Sequence, residues 1–165
     1  MKSGYQAPAA PNKKDFKDAR IALLATRWNV DIVDALVQGA RECLRDYGVP
    51  EGNVELFRVP GAYELPLAAS AALESGYFDA VVALGAVIRG DTPHFDFVAG
   101  ECARGLMDVQ LTNSAPVGFG VLTVNTFEQA KERAAPGKGN KGYECAEAVL
   151  EMIKLNRELA PDAQA

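Results

Sequence analysis

The stretch Gly85–Val98, reading GAVIRGDTPHFDFV, holds the only histidine of the chain. His94 is the one side chain here whose ordinary pKa lies near neutrality, the range in which a proton shuttle must work. A lone histidine is as often a helix cap or a loop filler as a catalyst, so its neighbours decide. Just ahead of it, Arg89-Gly90-Asp91-Thr92 brings main-chain N–H groups and a hydroxyl together at the start of a helix. Such turns bind phosphate through backbone donors and the positive end of the helix. The spacing is not that of a P-loop.

Other residues with chemical potential fall at similar places. Arg27-Trp28-Asn29 follows an apolar run and contains the only tryptophan. At a solvent-facing turn, that indole suits a stacking platform for a heteroaromatic ring better than a lid on the core. Pro60-Gly61-Ala62-Tyr63-Glu64-Leu65-Pro66 offers close backbone approach and a carboxylate in the first turn of a helix. Taken alone, Glu64 does no more than complement a helix dipole, and Arg133 is one more surface arginine. Together with the histidine loop, Arg133 becomes a candidate fork for the same phosphate. Phe119 stands out within a strand otherwise made of small and branched residues.

The elements that must position these residues follow from hydrophobic period. Short apolar runs at Arg20–Thr26, Val54–Val59, Ala80–Gly85 and Val117–Thr123 read as strands. Between the first two, Val33, Leu36, Val37, Ala40, Leu44 and Tyr47 recur at helical spacing and stop at Gly48, a C-terminal glycine. Further helices are expected over Tyr63–Ser75 and Phe97–Thr112. A fourth starts at Thr126, where Thr126 and Gln129 form a capping box. After the polar turn Pro136–Lys141, the last helix carries Ala146, Val149, Met152, Ile153 and Leu159. Strands alternating with helices indicate a parallel sheet, hence a flavodoxin-like three-layer α/β sandwich with a four-stranded sheet. An N-terminal strand could extend it. In such sheets ligands bind beyond the carboxyl ends of the strands, where the candidate residues lie.

Composition sets the outer limits. The chain's 165 residues suffice for one domain with a real core. Residues 1–15 are expected as a flexible arm, 16–160 as a single domain and 161–165 as a tail. A net charge of −5 without a basic stripe argues against nucleic acid as a partner, and no apolar run is long enough to cross a membrane. Cys43, Cys102 and Cys145 are too scattered for a disulfide framework or a zinc site, so buried inert thiols in a cytoplasmic protein are expected. Two common functions of this architecture fail on its strand ends. A receiver domain needs acidic residues where Thr26 and Gly85 stand, and a flavodoxin needs a Ser/Thr- and Gly-rich phosphate loop where Arg27-Trp28-Asn29-Val30 stands.

Taken together, Arg27-Trp28-Asn29, Pro60–Pro66, Gly90-Asp91-Thr92-Pro93-His94-Phe95-Asp96 and Gly139-Asn140-Lys141-Gly142 closely resemble the lumazine synthase family, over about residues 16–160. The resemblance implies a transferase that condenses 5-amino-6-(D-ribitylamino)uracil with 3,4-dihydroxy-2-butanone 4-phosphate. The product is 6,7-dimethyl-8-ribityllumazine, made in the penultimate step of riboflavin biosynthesis with no metal or organic cofactor. It implies that Trp28 stacks on the pyrimidine, and that Ala62, Tyr63 and Glu64 bind its uracil and ribityl groups. Ala86, Val87 and Ile88 would meet the pyrimidine edge. Asp91, Thr92 and Arg133 would hold phosphate, His94 would carry protons, and Phe119 would reach into the pocket of an adjacent subunit.

The resemblance further implies homopentamers, twelve of which form an icosahedral capsid in some members. The turn Ala135–Asn140 has no insertion, which favours the capsid, while Pro136 and Gly137 depart from the commoner Gly-Thr-Lys start of that turn. A different class of function, a catalytically weak relative that binds a flavin-like ring or forms a shell, would have no use for His94, Thr92 and Arg133.

Overall fold

The computed structural model describes residues 4–160, so the expected tail and the first three residues of the arm lie outside the described residues. Four strands, β1 (Ile21–Thr26), β2 (Val54–Val59), β3 (Ala80–Ile88) and β4 (Val117–Val124), form one parallel sheet in the order β2-β1-β3-β4. The helices are α1 (Val30–Asp46), α2 (Leu65–Glu74), α3 (His94–Asn113), α4 (Phe127–Arg133) and α5 (Lys141–Leu159).

Side chains alternate across a strand, and here the alternation divides the core in two. Ile21, Leu23 and Ala25 of β1, with Ala80, Val82 and Leu84 of β3, pack under α1, α4 and α5. Ala22 and Leu24, with Val81 and Ala83, pack under α2 and α3. All six residues of β1 are buried, as a central parallel strand covered on both faces requires.

The boundaries differ from the sequence reading in instructive ways. β3 runs on from Gly85 to Ile88 because Ala86, Val87 and Ile88 keep pairing with Leu122, Thr123 and Val124 of β4. The expected helix from Tyr63 begins instead as a 3-10 turn, Ala62–Glu64, before α2 proper, with Pro66 in the first turn. The third helix starts three residues earlier than periodicity indicates, at His94 rather than Phe97. The preceding Pro93 (φ −68°) presets the backbone and has no N–H to leave unpaired.

Gly48 ends α1 in a left-handed turn (φ 80°), with its N–H on the Arg45 carbonyl. The Thr126 hydroxyl caps α4 by accepting from the Gln129 N–H at 3.1 Å, but the Gln129 side chain returns to the N–H of Asn125, one residue before the cap.

Among the described residues the arm adds no strand to the sheet. Its end is nonetheless anchored: Phe16 is buried against Tyr47, and the Asp15 carbonyl accepts from Arg157 at 2.8 Å.

Candidate functional site

The strand order changes direction between β1 and β3, which opens a crevice beyond their carboxyl ends. Three loops meet there. Arg27–Asn29 leaves β1, Pro60–Glu64 leaves β2, and Arg89–Pro93 leaves β3. The loop after β1 is tied to the end of β2 and to β3 by hydrogen bonds. The Arg27 N–H donates to the Val59 carbonyl at 3.1 Å, and the Asn29 side-chain amide donates to the Ala86 carbonyl at 3.3 Å. Asn29 holds the left-handed conformation (φ 54°) that turns the chain from strand into α1, which an asparagine tolerates better than most residues.

Trp28 is 72% exposed, so the indole is on the surface rather than in the core. It is held against the second loop. A Cβ added at Gly61 would lie 3.3 Å from the indole Cδ1 and 3.2 Å from the Glu64 Oε2. The missing side chain thus lets an aromatic edge, a bare backbone and a carboxylate come together. Ala62 is buried beneath them, while Tyr63 and Glu64 are exposed.

The third wall is the end of β3. Its last pairing with β1 is Leu84 with Ala25, yet it continues beside β4 to Ile88. Ala86, Val87 and Ile88 therefore stand beyond the end of β1 with no strand on that side. The Asn29 amide takes up the Ala86 carbonyl. What remains is a short stretch of strand edge whose amides and carbonyls can read the edge of a planar ring, as a further strand would.

Beyond it, Arg89 braces the histidine loop. Its N–H donates to the Val124 carbonyl at 2.9 Å, its Nε to Asn125 Oδ1 at 3.1 Å and its Nη2 to Asp96 at 3.3 Å, and the guanidinium lies 4.3 Å over the Phe95 ring. Asp91 and Thr92 are exposed between these fixed points. The His94 N–H donates to Thr92 Oγ1 at 3.4 Å, and the imidazole is carried on the first residue of α3, exposed beside the loop.

Two of the expected site residues do not join this group within one chain. Phe119 lies on the edge strand β4 in register with Ala83, which in turn pairs with Leu24, four residues before Trp28. It is 46% exposed, far back along the sheet from the crevice. Arg133 ends α4, which packs on the α1 and α5 face, whereas His94 leads into α3 on the other face. Its guanidinium turns back to the Gln129 carbonyl at 3.0 Å. Within one chain, α4 and α3 thus lie on opposite faces of the sheet.

The sequence reading gives Asn29 and Arg89 no bracing task, yet their hydrogen bonds fix these loops. The signal for Asn29 was its place between a strand and a helix, where the left-handed turn favours asparagine. Among the described residues no group of acidic, histidine and cysteine side chains is placed to hold a metal ion. The three cysteines are buried; burial pushes the Cys102 thiol up to about 11 and Cys145 up to about 12.

A flavodoxin-like α/β enzyme is defined by this arrangement, with an aromatic platform, an open strand edge and a histidine beside an anion-suited loop. The family model for 6,7-dimethyl-8-ribityllumazine synthase matches residues 18–157. The 6,7-dimethyl-8-ribityllumazine synthase of Halorhodospira halophila (strain DSM 244 / SL1) is 53% identical over 144 residues, covering 87% of this chain and 92% of the relative. The chain belongs to the 6,7-dimethyl-8-ribityllumazine synthase family. It is a transferase of riboflavin biosynthesis that condenses 5-amino-6-(D-ribitylamino)uracil with 3,4-dihydroxy-2-butanone 4-phosphate.

Proposed function

We propose that this condensation takes place at a seam between two copies of the chain. One copy supplies the crevice and the other supplies Phe119 and Arg133. The observation that carries this reading is the exposure of Phe119 on the edge strand β4, back along the sheet from the crevice that the overrun of β3 past β1 leaves open. A uracil presents alternating donors and acceptors along its rim, the pattern that a strand edge complements. Trp28 gives the ring a stacking face, and the turn Ala62-Tyr63-Glu64 takes the ribityl hydroxyls through its amides and carboxylate. Asp91 and Thr92 hold the butanone phosphate, with Arg133 of the neighbouring copy as the charged fork.

The chemistry needs few further parts. The amine of the uracil adds to the ketone, and loss of water from the carbinolamine leaves an imine. His94 takes a proton from the attacking nitrogen and returns one to the departing hydroxyl. General acid–base help of this kind is worth about 10² to 10⁴ in rate. Loss of the proton from the carbon beside the imine gives an enamine, whose electrons expel phosphate as an anion into positioned donors and leave an enol. The enol takes up a proton to become a ketone, and ring closure by the ribitylamino nitrogen with loss of a second water follows within one bound molecule. Orientation carries much of that last step.

The seam implies a closed ring of heterologous contacts, since the surface carrying Phe119 differs from the surface it completes. We assign a homopentamer. For twelve pentamers in an icosahedral capsid, the support is the uninserted turn Ala135–Asn140. We place the enzyme in the cytoplasm, where its three free cysteines stay reduced. The test is activity against dilution, followed by sedimentation. Turnover per chain should fall as the ring dissociates; a fully active monomer would overturn the shared site.

A further inference from the structure

Asn140 is a buried polar residue that the site described above does not use. It is 2% exposed, and its side chain is fully engaged. The Nδ2 group donates to the Ala134 carbonyl at 2.8 Å and to the Ala35 carbonyl of α1 at 3.1 Å. Its Oδ1 accepts from the N–H groups of Gly142 at 2.7 Å and Tyr143 at 3.2 Å, capping α5. One amide thus joins three helices: the end of α4, the middle of α1 and the start of α5. Gly39 of α1 leaves the room, since an added Cβ there would overlap the Asn140 amide.

We propose that Asn140 is a positioning residue for the phosphate-binding arginine. The Ala134 carbonyl that it holds belongs to the residue next to Arg133. A seven-residue helix such as α4 is too short to be stable by itself. Its start is fixed by Thr126, and its end is fixed by the Asn140 amide against α1. Without that hold the last turn of α4 frays, and the guanidinium loses its fixed origin. The phosphate of the four-carbon substrate is then gripped less well, while Trp28 and the open edge of β3 are untouched. This rests on the assignment of phosphate binding to Arg133.

The two halves of the Asn140 side chain can be separated. Asn140→Ser keeps an oxygen to cap α5 and removes both amide donors. Gly39→Ala reaches the same amide from α1 without changing Asn140. Steady-state kinetics with each substrate varied in turn, beside Arg133→Ala, gives the readout. Both variants should raise KM for the butanone phosphate by about tenfold, the weight of one lost hydrogen bond or somewhat more. KM for the pyrimidine and kcat at saturation should stay within about twofold of wild type. A merely structural asparagine would lower the thermal midpoint and leave the ratio of the two KM values unchanged, which overturns the proposal. Asn140→Ser and Gly39→Ala variants that both fail to fold would also overturn it, since they would show a residue needed for the fold as a whole. If Arg133→Ala spares the phosphate KM, the arginine assignment is at fault; if Arg133→Ala raises it and the other two do not, the clamp is.

Discussion

The Asn29 side-chain amide donates to the Ala86 carbonyl at 3.3 Å, joining the turn that carries Trp28 to the open edge of β3. The same residue sits at φ 54°, so it does two things at once. Asn29→Gly should keep the left-handed turn and lose only the bond. Asn29→Ala should lose both, at about 2–3 kcal/mol of stability, since the left-handed conformation costs an alanine about 1–2 kcal/mol and a hydrogen bond adds about 1 kcal/mol. Denaturant midpoints at constant slope check the order wild type, Gly, Ala. Both variants should also weaken pyrimidine binding. An alanine variant as stable as the glycine one would show that the turn relaxes freely.

Replacing His94 with alanine should slow the reaction by about one to three powers of ten at neutral pH, with the oligomer unchanged by sedimentation. Turnover should survive at that lower level, because binding and orientation of the two substrates remain. A variant that matched wild type would remove the proton role.

Trp28 provides its own reporter as the only tryptophan in the chain. Titration with the pyrimidine substrate or a product-like flavin should change its emission, and the butanone phosphate alone should not. Trp28→Ala should weaken the pyrimidine by about tenfold, as a stacking contact is worth about 0.5–1.5 kcal/mol beyond burial. Emission indifferent to both ligands would place the indole outside the site.

Stability should depend on pH on the alkaline side. Burial raises the thiols of Cys102 to about 11 and Cys145 to about 12, against about 9 for a free thiol. Burial, then hydrogen bonds to Glu147 and Asp46, raises Tyr47 and Tyr143 in the same sense. A raised pKa means that the native state keeps a proton that the unfolded chain gives up. The resulting stability is complete below about pH 9 and is lost as pH climbs through the native values. Urea midpoints should hold level from pH 7 to about 8.5 and then fall. In parallel, a thiol reagent at pH 8 should modify the cysteines only in unfolding concentrations of urea. Native-state labelling, or a midpoint constant to pH 11, would contradict the burial of these groups.

Much of this molecule is legible in its sequence because period and burial agree. β1 takes up the first apolar run with all six residues buried, and α1 ends at Asp46 just ahead of the left-handed turn at Gly48. What is not legible depends on partners distant in sequence. Nothing within Ala86–Ile88 indicates that β4 will carry it past β1; that follows from register with Leu122–Val124. Pro93 starts α3 at His94, three residues before its apolar face becomes regular. The residue types of the crevice are readable at the strand ends. The separation of Arg133 from His94 is not, because it depends on which face of the sheet each helix takes.

That separation leads to the sharpest test. If Phe119 and Arg133 complete a neighbour's crevice, two variants damaged in different halves of the site should repair one another. His94→Ala damages the half that holds the histidine. Phe119→Arg places a charge where the neighbour's aromatic ring should lie, on a surface already 46% exposed, so the subunit's own core is spared. Each variant alone should form pentamers with little activity. When the two are unfolded together in equal amounts and refolded, about one boundary in four pairs an intact histidine half with an intact Phe119 half. Activity per chain should then rise to roughly a quarter of wild type. The repaired boundaries should show the wild-type KM for both substrates, because each is a complete site. Mass analysis of differently tagged chains establishes that the rings are mixed. Mixed rings that stay at the parental background would place the whole site within one chain, and the role assigned to Phe119 would fall.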